Sequence, residues 1–77
     1  MPHVVVKLVP GKSGEQKSRL AAAIVKDVMA TLGYDEGAVS VALEEVPRED
    51  WAEKVYKNEI RAHWKQLYKE PGYNPFQ

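Results

Sequence analysis

The sequence has 77 residues and no cysteine, and its eleven basic and eleven acidic side chains cancel to a formal charge of zero. This length allows one small domain, and the lack of cysteine excludes disulfides and cysteine-based metal sites. The balanced charge disfavours a nucleic-acid partner, because nucleic-acid-binding proteins usually carry a basic excess. The longest apolar run, Leu20 to Val25, is too short to span a bilayer. The start Met1-Pro2-His3 is not typical of a secretory signal, so we expect a cytoplasmic protein with no membrane partner.

The first predicted element is a strand over residues 3–9, a run rich in β-branched residues. Its alternation places two groups of side chains on opposite faces: Val4, Val6 and Leu8 on one, and His3, Val5, Lys7 and Val9 on the other. Pro10-Gly11 ends this strand.

The second predicted element is a helix over residues 14–32. Ser13 and Gln16 have the spacing of a capping box, and Gly33 can adopt the left-handed conformation that ends a helix. Apolar residues recur at helical spacing between these caps, at Leu20, Ile24, Val28 and Leu32.

A second strand is predicted over residues 39–46, a second helix over 51–68 and a tail over 70–77. The helix is indicated by five residues spaced four apart: Ala52, Tyr56, Ile60, Trp64 and Tyr68. The predicted fold is therefore of the α/β (α+β) class, a single β-α-β-α domain with two parallel strands and its helices on one face.

Such a sheet is too small to be stable alone, and both of its strands are edges. The face not covered by helices is apolar, with Val5, Val9 and Ala42 beside Ser40. We therefore expect an obligate homo-oligomer that completes the sheet.

Pro2 directly precedes the first strand. The initiator methionine is commonly removed before a small residue such as proline, which would leave a secondary amine at the chain start. An apolar pocket that also holds cations disfavours the protonated amine, so the nitrogen could act as a general base near neutrality. Position alone favours a simpler interpretation, a proline that starts a strand.

Several segments in order resemble the 4-oxalocrotonate tautomerase group of the tautomerase superfamily. These are the Met1-Pro2 start, residues 11–17 before an Ala/Leu-rich helix, and the strand at residues 38–45. The helix containing Trp51 and the tail from residue 69 most resemble the longer, phenylpyruvate tautomerase-like branch. The resemblance covers nearly the whole chain, although no single segment is a specific motif.

The resemblance implies a cofactor-independent keto–enol tautomerase that acts on a small carboxylate such as an enol pyruvate, with Pro2 as catalytic base. Its implied substrate-binding residues are Lys12, which replaces an arginine of the well-studied members, and Trp51 as an aromatic wall. Ser40 stands where those members have a second arginine, which argues against their dicarboxylate substrates. Because sites in this family form between subunits, Lys12 is expected to serve the Pro2 of a neighbour.

Other residues are weaker candidates. Arg61 belongs to a basic stripe along the second helix, with Lys54, Lys57 and Lys65, and is a minor candidate for holding an anion. His63 is expected to pack beside Ile60 and Trp64. His3 is expected to point away from Pro2, with little chance of contacting substrate. The two histidines do not have the spacing of metal ligands, and no Ser-His-Asp set or phosphate loop is present, so no metal or cofactor is expected.

Two alternatives remain open from the sequence. One is other chemistry of the superfamily, decarboxylation or dehalogenation of a small acid. The other is a non-enzymatic oligomeric binding module that has kept the fold. The oligomer could be a dimer or a hexamer, and the tail with Tyr73 and Phe76 favours the dimer, because it could cover a surface that shorter relatives use for hexamer contacts.

Overall fold

The computed structural model describes all residues from Met1 to Gln77. Two compact units divide the chain, the first over Met1–Glu45 and the second over Val46–Gln77. That both belong to one domain stays a prediction. None of the helices is both long and apolar enough to cross a bilayer.

The first unit is a β-α-β arrangement in which strands β1 (His3–Leu8) and β2 (Ser40–Glu45) lie parallel. The register pairs His3 with Ser40 and continues to Leu8 with Glu45. Because side chains alternate along a strand, one face presents His3, Val5, Lys7, Ser40, Ala42 and Glu44, and the other Val4, Val6, Leu8, Val41, Leu43 and Glu45. The predicted fold class and the two faces of β1 are confirmed.

Helix α1 spans Gly14–Leu32, as the sequence predicted. The backbone N–H of Gln16 donates to Ser13 Oγ at 3.0 Å, and the Gln16 side chain accepts from the Ser13 N–H at 3.0 Å. At the other end Gly33 has φ 79°, and its N–H donates to the Met29 carbonyl. Local capping chemistry therefore sets both ends of α1.

Helix α1 lies on the Val4/Val6 face of the sheet. Lys17 of α1 forms an ion pair with Glu45 at 3.1 Å. Ile24 and Val28, in the middle of the apolar stripe, are half-buried, whereas Leu20 and Leu32 are exposed. The 19 residues of α1 extend over about 28 Å and the six of β1 over about 20 Å, so the ends of the helix overhang the sheet.

Both strands are slightly shorter than the predicted ranges 3–9 and 39–46. A 3₁₀ turn at Glu36–Ala38 ends one residue before β2, and the N–H of Val39 donates to the Glu36 carbonyl at 3.2 Å. This bond uses the donor that Val39 would offer to a sheet. Pairing ends at Leu8 and Glu45, so Val9 has no partner in the ladder.

In the second unit the predicted helix over residues 51–68 is divided. Helix α2 is a short α-helix at Arg48–Trp51 that continues directly into a π-helix at Ala52–Arg61, and a 3₁₀ turn follows at Trp64–Gln66. The start comes earlier than predicted, because extended Pro47 accepts from the Asp50 N–H at 2.9 Å. The helix ends after Arg61 because His63, with φ −121° and ψ 38°, leaves the helical region.

The fully buried core consists of Val55 and Tyr56, which are 5% and 4% exposed. Both lie in the π-helix. A π-helix has more residues per turn than an α-helix, so consecutive side chains are separated by a smaller angle and two neighbours can face inward together. The five residues spaced four apart do not form a continuous buried stripe. Beyond Ile60, Trp64 is 38% exposed and Tyr68 is fully exposed. The packing role predicted for His63 is wrong, because its side chain is exposed.

Candidate functional site

Pro2 is held in place by the neighbouring strand. Its side chain is half-buried, and its carbonyl oxygen accepts from the backbone N–H of Ser40 at 3.1 Å. Met1 before it is 95% exposed. Removal of Met1 would therefore sacrifice few contacts and leave an amine on a residue that the sheet already positions.

The side chain of Ser40 pairs with His3 on the open face of the sheet. Ser40 Oγ and His3 Nδ1 are 2.7 Å apart, a short hydrogen bond between two exposed residues. Pro2, His3 and Ser40 thus form one connected group at the start of both strands. His3 was expected to have little part in a site, and the parallel register that pairs the two strand starts is the signal that would have placed it beside Ser40.

Lys12 lies at the opposite end of β1 from Pro2. It lines an open cavity of about 210 Å³ together with Leu8, Gln16, Lys17 and Leu20. Leu8, which lines this cavity, and His3 lie at opposite ends of β1, about 17 Å apart. Within the first unit, therefore, Lys12 does not meet Pro2, and any joint action needs a second copy of the chain.

Trp51 and Arg61 belong to the second unit, where both contact the C-terminal tail. Trp51 Nε1 donates to Tyr73 Oη at 2.9 Å, and the guanidinium of Arg61 lies 5.0 Å from the ring centre of Phe76. The buried Tyr56 packs against both tail rings, with centroid distances of 5.6 Å to Tyr73 and 6.1 Å to Phe76. Tyr73 and Phe76 were noted in the sequence without these partners, because ring contacts between distant segments leave no periodic pattern.

The family model described as "Tautomerase enzyme" matches residues 2–55 of the chain, most of its length. The chain belongs to the tautomerase family. This tautomerase is 44% identical over 73 residues to a probable tautomerase of Xylella fastidiosa, covering 95% of this chain and 89% of that protein. It is 40% identical over 75 residues to Tautomerase PptA of an Enterobacter species, covering 96% and 99%.

Solved structures agree with this assignment. YwhB, a homologue of 4-oxalocrotonate tautomerase, is 34% identical with a TM-score of 0.60, covering 61% of this chain and 77% of that one. A 4-oxalocrotonate tautomerase isozyme from Methylibium petroleiphilum is 31% identical with a TM-score of 0.61, covering 62% and 75%. The tautomerase is accordingly an enzyme of the isomerase class, and the alternative of a non-enzymatic binding module is not retained.

Proposed function

We propose that the tautomerase ketonises a small 2-hydroxyalkenoate, such as an enol pyruvate, with Pro2 as its general base after removal of Met1. The observation that carries this proposal is the placement of Pro2. It is half-buried, its carbonyl is bonded to Ser40, and the residue before it is almost fully exposed. A fixed secondary amine at the chain start is the group that the proposed proton transfer requires.

The reaction is a proton shuttle. The neutral nitrogen of Pro2 takes the proton of the enol hydroxyl and becomes a secondary ammonium ion, which leaves an enolate. The ammonium then returns the proton to the enolate carbon, which gives the 2-oxo acid and restores the neutral amine. A base of this kind works only while unprotonated, so the rate should rise with pH through the titration of the amine.

The proposed substrate carries one carboxylate and an apolar group. Lys12 supplies a cation in the cavity at the far end of β1, and lysine holds a carboxylate as a point charge without the two-pronged grip of arginine. Ser40 offers a neutral hydroxyl where a second arginine would hold a second carboxylate. Trp51, fixed by Tyr73, is the proposed aromatic wall, and Arg61 is a minor candidate because it already stacks on Phe76.

The proposal includes a homo-oligomer, with a dimer favoured over a hexamer, no cofactor and a cytoplasmic location. No residue of the first unit is fully buried, and the exposed face of its two-stranded sheet carries Val5, which is 43% exposed. A second copy would cover that face and pair with an exposed strand edge. The proposal also places the Lys12 of that copy within reach of Pro2.

The test combines intact mass with turnover of phenylenolpyruvate. We expect the protein from its native host to lack one methionine, and Pro2→Ala to lower kcat/KM at least a hundredfold while the circular dichroism spectrum is unchanged. Pro75→Ala is the matched control, since it removes a proline from the exposed tail. Equal rates for Pro2→Ala and the parent, or full activity in protein that retains Met1, would overturn the proposal.

A further inference from the structure

The hydrogen bond between His3 and Ser40 has no role in the proposed proton transfer, yet it lies one residue from the proposed base. The bond is short, at 2.7 Å, and both side chains are exposed, so it does not satisfy buried polar groups. Ser40 is also bonded through its backbone to Pro2. In the single chain the pair is thus open to a ligand and fixed relative to Pro2, and it lies at the end of the face that a second copy is proposed to cover.

What this pair offers to a ligand depends on the charge of the imidazole. A neutral ring can accept the Ser40 hydroxyl proton at Nδ1, which leaves one outward donor, Nε2–H. In the imidazolium form Nδ1–H donates to Ser40 Oγ, and the hydroxyl proton turns outward. The charged pair therefore presents two donors, Nε2–H and Oγ–H, together with a positive charge, and this combination suits a carboxylate.

We propose that His3 and Ser40 form a proton-dependent site for the carboxylate of the substrate, which they share with the Lys12 of a second copy, with His3 supplying the charge that Ser40 lacks. The inference deepens the proposed tautomerase function and rests on it for the identity of the ligand. It makes His3 a specificity-determining residue for acids with a single carboxylate. Protonation of the imidazole adds both the positive charge and the second donor, so substrate binding should strengthen as the pH falls.

Besides His3, the charged side chains that the two strands place on this face are Lys7 and Glu44. Lys7 and Glu44, an ion pair at 3.9 Å, lie on the same face four residues along the strands, about 13 Å away. That separation exceeds the Debye length at physiological ionic strength. The Lys17–Glu45 pair lies on the opposite face, against α1. The mature amine of Pro2 would lie one residue away in the chain, and its contribution must be separated from that of His3.

The test uses 3-phenylpropionate, a saturated carboxylate that cannot tautomerise, and the ring Cε1–H signals of the two histidines in the mature protein. In His63→Asn only the His3 signal remains, so this variant assigns the His3 signal. We expect saturating 3-phenylpropionate to move the titration midpoint of His3 upward by at least half a pH unit, and not that of His63. By linkage, the probe should bind several-fold more tightly at pH 5.5 than at pH 8.

Two variants separate His3 from Pro2. His3→Asn can keep a hydrogen bond to Ser40 but cannot titrate, so it should lose most of the pH dependence of probe binding, while His63→Asn should keep it. Ser40→Ala should weaken binding at pH 5.5 at least threefold. An unmoved His3 midpoint, or full pH dependence in His3→Asn, would overturn the inference. The His3 midpoint and the pH dependence of probe binding are both measured without turnover. If Pro2→Ala stays active, the proposal that Pro2 is the base is wrong, but the proposed carboxylate site is still tested by these two measurements.

Discussion

The backbone N–H of Ser40 donates to the carbonyl oxygen of Pro2 across 3.1 Å, so the first residue of β2 fixes the residue that precedes β1. The same residue bonds His3 through its side chain. The two contacts use different atoms, so substitution of Ser40 by alanine removes the second and keeps the first. Ser40→Ala therefore tests the proposed binding of a carboxylate while the backbone bond that positions Pro2 is kept.

Lys12→Ala is expected to raise KM about tenfold, equivalent to about 1.4 kcal/mol of binding, and to leave kcat within about twofold. A cation that holds the substrate carboxylate equally in the ground state and the transition state affects KM alone. Steady-state kinetics with phenylenolpyruvate measures both constants. Lys54→Ala, which removes an exposed lysine paired with Asp50, is the control. An equal fall in kcat would instead place Lys12 at the enolate oxygen.

Tyr73→Phe is expected to lower the free energy of unfolding by about 0.5–1.5 kcal/mol, because it deletes the hydroxyl that accepts from Trp51 Nε1 and keeps the ring against Tyr56. The emission of Trp51, recorded in a Trp64→Phe background, should shift at the same time. Tyr68→Phe removes a hydroxyl from a fully exposed ring and should change neither quantity. Identical behaviour of the two variants would show that the bond to Trp51 contributes nothing.

Ser13→Ala is expected to destabilise the protein by about 1 kcal/mol, because it removes the oxygen that accepts the Gln16 N–H at the start of α1. Urea denaturation at a fixed protein concentration measures the loss, since oligomerisation makes apparent stability depend on concentration. Ser18→Ala lies within α1 on an exposed position and should be neutral or slightly stabilising. A loss of the same size at both positions would contradict a capping role.

The parent protein is expected to sediment as an oligomer at micromolar concentration, with Val5→Lys shifted toward the monomer. Lysine at this position would put a charge on the apolar face that a second copy is proposed to cover. Ala23→Lys adds the same charge on an exposed position of α1 and should leave sedimentation unchanged. A folded monomer of the parent at this concentration would refute the oligomer.

Helix α1 was predictable to the residue because its boundaries depend on neighbours in the chain. Ser13 and Gln16 cap each other across three positions, and Gly33 supplies the left-handed conformation at the end. The second helix lacks such caps. Its apolar residues recur every four positions, a spacing that fits neither an α-helix nor a π-helix closely, so periodicity could not reveal the π-helix at Ala52–Arg61.

The sequence by itself determined the family, the β-α-β order, the capped helix and the position of the proposed base, because each depends on local spacing or on residues matched in order. Tertiary structure alone decided that Ser40 bonds both Pro2 and His3, and that Tyr73 holds Trp51. These partners lie 22 to 38 positions apart in the chain. Strand register and ring packing bring such residues together, and neither leaves a local signal that sequence spacing can show.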